Sequence, residues 1–433
     1  MDILKESMAL KEHTIALRRY MHENPELSGR EFNTIKLICA ELDKIGVEYV
    51  NIPDGGVLAH IDGNEKGKTV LLRADCDALP IDELPNNAKK PKACPISKVR
   101  GVHHACGHDG HTAMLLTAAK ILNENKDAIK GRIYILFERG EEGGGNIYWI
   151  MKYIQENNIH IDASFAEHTD TDLSAGQIAC QGGPANAGNV GYKITITGKG
   201  GHGSRPDKSI NPIDCFVSIY ECIKTIRMNY VKPDVVLTNS MGMVHAGEVG
   251  NVIPHTLQFK GTCRFYDAAA GNIFKEKLIA ICKAQAELFD CQVEFDSVSG
   301  PGLPVLNNYK LAEIGADAVR KALGDDAIRH KELNMGSESY AYFTTYYPAV
   351  MMRVGIRNED EGITIGAHNP GHDIDENGLP YGTAAYIAAA LGFLNYEGEV
   401  AFDGDEQLRK KSIDELREYT NSSIPPQLDK DNI

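Results

Sequence analysis

Apolar positions change their spacing along this chain, and each change of period marks an element. Leu10, Leu17 and Met21, followed by Ile35, Ile38, Leu42 and Ile45, recur at helical intervals and predict two amphipathic helices separated by a turn at Pro25 and Gly29. Strand-like apolar runs come next, over 57–61, 69–74 and 132–137, with helical patterns at 111–122 and 147–155. This alternation predicts an α/β fold whose main domain holds a mixed, largely parallel sheet flanked by helices. Ligands of such sheets gather at the carboxyl ends of strands. Asp75 and Asp77 end one run, Glu141 and Glu142 follow another, and His168 follows the short run 161–166, so three polar clusters are expected on one rim.

The pattern shifts after residues 181–189, a stretch rich in Gly, Asn and Ala that reads as a linker. A strand at 192–197, a helix near 212–228, strands at 235–237 and 256–265, a helix near 272–289 and a strand at 292–297 make a β-α-β-β-α-β unit. It is expected to be a ferredoxin-like α+β domain inserted in the first, closed by Pro301, Gly302 and Pro304. The predicted organisation is therefore a main domain in two parts, 1–186 and 301–398, an inserted domain over 187–300, and a polar tail over 399–433. The tail is expected to form a surface helix at best, followed by disorder.

Bulk properties narrow the picture. A chain of 433 residues exceeds one ordinary core, which agrees with two domains. Lys plus Arg is 45 and Asp plus Glu is 60, and the resulting charge of −15 argues against nucleic acid or an anionic membrane as partner. Charges interrupt the first apolar residues, so no signal-peptide core is present, and the longest apolar stretch, 384–394, is far short of the roughly 20 residues that cross a bilayer. The ten cysteines lack the paired spacing of a disulfide scaffold, and a reducing cytoplasm is the expected location.

Cys106-Gly107-His108 carries the strongest chemical signal. A thiol and an imidazole two residues apart on extended backbone face the same side, and both are ligand types that zinc prefers. Alone, such a pair is more often packed core. Here the predicted helix starts just after it and turns its dipole toward the site, while Asp109 is placed to orient a ligating imidazole. His103, His104 and His111 read as structural or supporting. Glu141-Glu142 follows a run that is apolar on both faces, where idle charge is costly, so one carboxylate is expected to bind a cation and the other to move protons. A divalent cation lowers the pKa of water toward about 7, within reach of such a base. These features read as a metallohydrolase. Gly198-Lys199-Gly200-Gly201-His202-Gly203 is not a phosphate loop, since it lacks the Gly-Lys-Ser/Thr ending and does not lead a strand into a helix in the needed order. It is either a hairpin presenting His202 to a site or a glycine turn with an exposed histidine. Asn251 and Arg264 carry donors suited to a carboxylate.

At this point the sequence resembles the aminoacylase, hippurate hydrolase and auxin-conjugate amidohydrolase branch of the metal-dependent carboxypeptidase and dipeptidase superfamily. The resemblance runs from about Leu17 to Leu391, through LLRADCDALP from Leu71, GVHHACGHDGHTAMLL from Gly101, EEGGG from Glu141, GKGGHGSRP from Gly198, NVIP from Asn251 and AHNPGHDIDE from Ala367. It implies a site for two divalent metal ions per subunit, zinc or manganese, with cobalt or nickel also accepted by such donors. Cys106 would bridge the ions, His108, Glu142, His168 and His368 would complete their shells, and Asp77 would support from outside. Glu141 would be the general base. The inserted domain would be a lid that also pairs two subunits, so that His202 reaches the neighbouring site and steadies the oxyanion. Asn251 and Arg264 would grip the α-carboxylate of the released amino acid. The implied substrate is an N-acyl amino acid or small dipeptide-like conjugate.

The sequence departs from that pattern at Phe137-Glu138-Arg139-Gly140, at Ser339, at Asp207 and at Thr169-Asp170-Thr171. Arg139 either reads a polar or acidic acyl group or salt-bridges Glu138 on the surface, and the second is favoured. Two rival functions stand beside the metallohydrolase: a cysteine hydrolase using Cys106 with His108, and a non-catalytic protein that captures a carboxylated ligand on the same fold.

Overall fold

Three helices, not two, precede the first strand: α1 (Ile3–Ala9), α2 (Lys11–Glu23) and α3 (Phe32–Ile45), the last stopped by Gly46 in the left-handed region at φ 68°. In this computed structural model, which describes residues 1–143 and 145–428, the chain continues through β1 (Glu48–Ile52), β2 (Gly56–Asp62) and β3 (Glu65–Asp75). Next come α4 (His108–Glu124), β4 (Lys130–Glu138), α5 (Ile147–Glu156), β5 (Ala163–Ser174) and β6 (Ile178–Ala179). Two further strands, β7 (Gly183–Asn186) and β8 (Gly188–Thr197), follow directly. The stretch read as a linker is therefore ordered: β7 pairs with β14 (Val305–Asn307), where the chain returns from the insertion.

The inserted segment contains β9 (Gly201–His202), α6 (Pro212–Tyr230), β10 (Leu237–Ala246), β11 (Val252–Ile253), β12 (Thr256–Phe265), α7 (Ala268–Leu288) and β13 (Gln292–Val298). Its four long strands form an antiparallel sheet in the order β10-β12-β8-β13, the ferredoxin-like arrangement. The strand expected at 235–237 instead begins at Leu237 and runs ten residues. Ile194, Ile196, Phe259 and Phe265 on the sheet meet Cys215, Ile219, Phe274 and Leu278 on α6 and α7 in a core of their own.

After the insertion come α8 (Tyr309–Leu323), α9 (Ala341–Tyr346), β15 (Ala349–Arg357), α10 (Leu379–Leu394), α11 (Glu406–Arg409) and α12 (Ile413–Thr420). The main sheet has the order β1-β2-β4-β3-β5-β15-β6; its four central strands β4, β3, β5 and β15 are parallel, and the outer pairings are antiparallel. Period-two alternation sends Val57, Ala59, Val70 and Leu72 to the face covered by α2, α3, α4, α8 and α10. Leu58, Leu71, Leu136 and Met351 go to the face covered by α5, α9 and α12.

The tail departs from its expectation. Helix α12 has a capping box between Ser412 and Glu415, and Ile413 and Leu416 are buried in the main core. Asp414 accepts from the Tyr148 hydroxyl at 2.7 Å, and the Leu428 amide donates to Asp54 at 2.7 Å. Residues 429–433 of the expected tail lie outside the described residues.

Candidate active site

The parallel strands deliver polar residues to one rim as their carboxyl ends emerge. Asp75 ends β3 and Asp77 follows it; Glu138 ends β4, ahead of Glu141 and Glu142; His168 lies within β5. Cys106 and His108 arrive at the start of α4, but not on extended backbone. Gly107 between them is left-handed at φ 85°, and a Cβ there would stand 2.3 Å from Thr169 Oγ1, so glycine is required both by conformation and by space. His368 enters from the loop after β15 with its own φ at 60°, held by its amide donating to Ala105 O at 2.7 Å.

These groups converge. Donor atoms of Cys106, His108 and His168 lie within 4.8 Å of one another, as do those of Cys106, Glu142 and His368, and those of His108, Glu141 and Glu142. Cys106 Sγ is 3.4 Å from His168 Nε2, and His368 Nε2 is 3.0 Å from Glu142 Oε1. Hydrogen bonds aim the imidazoles of the buried His108 and the half-buried His168. His108 Nδ1 meets Asp77 Oδ1 at 2.9 Å, and His168 Nδ1 donates to Thr169 O at 2.7 Å, which leaves each Nε2 lone pair facing the centre. Asp77 also accepts from the Glu142 amide at 2.9 Å, tying the two ligand loops together. Asp109, expected to orient a ligand, does not: it pairs with Arg18 at 2.8 Å and His22 at 2.7 Å, and Asp77 has that place. His111 is a buried support, 2.6 Å from Asp75, while its Nε2 accepts from the Thr169 amide.

The donor set fits divalent cations on this structure's own terms. His108 Nε2 is buried with no hydrogen-bond partner among the described residues, and the buried Glu142 Oε1 meets the His368 imidazole at 3.0 Å, an arrangement that is costly unless a cation stands among them. Although burial opposes it, Asp75, Cys106 and Asp77 push the His108 imidazole well up, the mark of surrounding negative charge that a divalent cation on Nε2 would offset in place of a proton. Burial, His111 and Arg353 push His168 well down, keeping it neutral and ready to ligate. Burial, then the neighbouring Glu338 and Glu142, hold the Glu141 carboxyl well above its usual range, the direction a general base requires. Its Oε1 accepts from the Ser339 amide at 3.0 Å. Burial pushes the Cys106 thiol up, away from a free nucleophilic thiolate, which weighs against the cysteine-hydrolase reading.

A cavity of about 870 Å³ opens over this cluster, lined by Cys106, Glu141, Glu142, His168 and His368. Arg264 reaches it from the inserted sheet, donating to Ser337 Oγ at 2.6 Å. His202 and Asn251 do not line it: both are exposed, on and beside the β9–β11 pair. Arg139 corrects both readings offered for it. It is buried, neither in the cavity nor on the surface, with Nε 3.0 Å from Glu31, whose carboxylate also receives the Gly140 amide; the pair braces the turn that carries Glu141. Glu138 is likewise buried and pairs with Arg73 at 2.7 Å. Spacing gave no sign of these partners, which come from distant parts of the chain. Glu338, beside Ser339 in a block that the resemblance covers, also lines the cavity, as do Arg353 and the tail residues Arg417 and Ser422, which were not anticipated because no motif surrounds them.

Comparison with known proteins agrees with this geometry. Residues 71–392 match the model of the peptidase family M20/M25/M40. The chain is 34% identical to thermostable carboxypeptidase 2 of Saccharolobus solfataricus over 393 residues, covering 89% of this chain and 96% of that one. It is 32% identical to the N-acetyl-L-cysteine deacetylase of Bacillus subtilis, covering 86% and 85%. A solved structure from Bacillus subtilis, described as a dinuclear metal binding peptidase of the M20 family, superposes with a TM-score of 0.73 at 28% identity, covering 89% of this chain and 99% of that one.

Proposed function

Because the chain belongs to the peptidase family M20/M25/M40, we propose that it is a metal-dependent amidohydrolase that cleaves N-acyl amino acids or small peptide-like conjugates to a carboxylate and a free amino acid. The observation that carries this reading is the convergence of Cys106, His108, Glu142, His168 and His368, with the His108 Nε2 atom buried and without a hydrogen-bond partner among the described residues. These five side chains would hold two divalent cations, the number given by the description of the solved relative as dinuclear, with Asp77 fixing the His108 ring. The thiol favours zinc, and the carboxylate and imidazoles equally suit manganese, with cobalt or nickel also accepted. When bound, the cations supply Lewis acidity to the amide carbonyl and to the attacking water.

This chain's own residues do the rest. Glu141 takes the proton of the attacking water and returns it to the leaving nitrogen. Its position beside Glu142, Glu338 and a buried wall gives it the proton affinity for both transfers. Arg264 receives the α-carboxylate in the cavity. His202 and Asn251, exposed on the inserted domain, would complete the site of a second copy, with His202 steadying the oxyanion and Asn251 joining Arg264. The working unit is then a homodimer paired through the inserted domain. Ten free cysteines suit a reducing cytoplasm, and among the described residues no helix is long and apolar enough to cross a membrane.

The test is to load the purified protein with each metal, count bound ions and follow amine release from a panel of N-acyl amino acids, beside Glu141→Gln. Metal binding is expected in both proteins, with amine release in the variant lowered by about 10²–10⁴-fold through kcat. Equal release by both proteins would sink the reading.

A further inference from the structure

Four arginines are buried among the described residues: Arg18, Arg73, Arg139 and Arg353. Three have their charge met. Arg18 lies 2.8 Å from Asp109, Arg73 is 2.8 Å from Asp75 and 2.7 Å from Glu138, and Arg139 is 3.0 Å from Glu31. Arg353 is the exception, for no carboxylate of a described residue comes within ion-pair reach; its Nη2 donates to the neutral Asn186 Oδ1. The acids nearest in charge are already engaged elsewhere: Asp170 is held by Lys331 at 2.9 Å, and Glu338 by Arg73 at 3.1 Å. The imbalance registers electrostatically. Burial pulls Arg353 down from the usual arginine range, whereas their carboxylates raise Arg18 and Arg73 despite equal burial.

A guanidinium without an anion in a low-dielectric wall is costly, and proteins keep such a group where a ligand supplies the missing charge. Arg353 is placed for that. On β15 it stands directly opposite His168 of β5, and it lines the cavity with Cys106, Glu141 and Glu142. Asn186 bridges to Asn334, in the loop whose Ser337 accepts from Arg264, so Arg353 and Arg264 share one wall.

We infer that Arg353 determines specificity by receiving a second carboxylate of the substrate, so that the preferred N-acyl amino acid is a dianion. The inference rests on the amidohydrolase reading and names its substrate class. The second carboxylate belongs either to the side chain of the amino acid or to the far end of the acyl group, and substrate pairs separate the two.

The experiment compares kcat/KM of the metal-loaded enzyme for N-acetylleucine, N-acetylglutamate and N-succinylleucine, in wild type, Arg353→Met and Arg353→Lys. Wild type is expected to favour one diacid over N-acetylleucine by about tenfold or more, chiefly in KM. In Arg353→Met that ratio falls to near one, and Arg353→Lys, which keeps charge without the bidentate fork, falls between. A wild-type ratio near one, or a ratio that Arg353→Met leaves unchanged, overturns the proposal. Calorimetry of glutarate against butyrate on the same metal-loaded proteins gives a readout free of turnover. If glutarate binds more tightly only when Arg353 is present but no amine is ever released, the hydrolase reading fails and the anion site stands. If N-acetylleucine is hydrolysed while neither a diacid nor glutarate is preferred, the hydrolase stands and the anion site fails.

Discussion

Gly107 shows how much of the site depends on one backbone angle. Its left-handed turn brings Cys106 and His108 to a common centre, and the space that a Cβ would need is filled by Thr169 Oγ1. Gly107→Ala is therefore expected to cost at least about 1–2 kcal/mol for the left-handed backbone, with the collision added. Urea unfolding should register that loss, and metal analysis should find fewer ions per chain. Unchanged stability together with full metal content would show that the turn is dispensable. At this scale the sequence was informative wherever residue type announces chemistry: thiol, imidazole and paired carboxylates converge here, although through a left-handed turn at Gly107 and not the extended backbone that the spacing suggested. It was silent about Arg353, which sits in an apolar run with no flanking motif, and misleading about Arg139 and Asp109, whose partners Glu31 and Arg18 are brought in only by folding.

Elements packed together create properties that none has alone. Helix α2 brings His22 against the segment holding His103 and His104, with His372 in the same buried group. Burial pushes His103 down to about 3 and His104 and His372 to about 4, so all three are neutral in the folded protein at moderate pH. In the unfolded chain they titrate near 6.5. Below that pH the unfolded state binds protons that the folded state refuses, so stability is full above pH 6.5 and falls steadily as pH drops toward 4. Calorimetry should find a clearly lower Tm at pH 5 than at pH 7.5, and His372→Gln should make the decline shallower; a slope unaltered by that change would assign it to other groups. Element types were legible where burial dictates pattern, as in the central strands β3 and β4, which are apolar on both faces. Strand β7 was hidden because Gly183, Pro184 and Asn186 are turn residues, and its strand character comes from pairing with β14 across the whole insertion. The docked tail was hidden because the buried residues of α12 are Ile413, Leu416 and the polar Thr420, too few apolar positions to stand out from a polar background.

Across the whole molecule, the proposed dimer makes a prediction that a single chain cannot. A mixed preparation of Glu141→Gln and His202→Ala should recover activity, since the first chain lends its His202 to the intact Glu141 of the second. Random pairing gives about a quarter of wild-type activity; no recovery would return His202 to a role within its own chain or to none. One further consequence follows from the neighbouring strands β5 and β15, which lie on opposite sides of the inserted segment in sequence yet side by side in the main sheet. While a ribosome is still extending the chain short of Ala349, β5 has an open edge, and His368 has not been made. The insertion, with a core of its own, can collapse first, and the sheet centre must wait for distant residues to arrive. During synthesis the unfinished protein thus carries an unpaired edge on β5 and lacks one of its candidate ligands until its last quarter emerges.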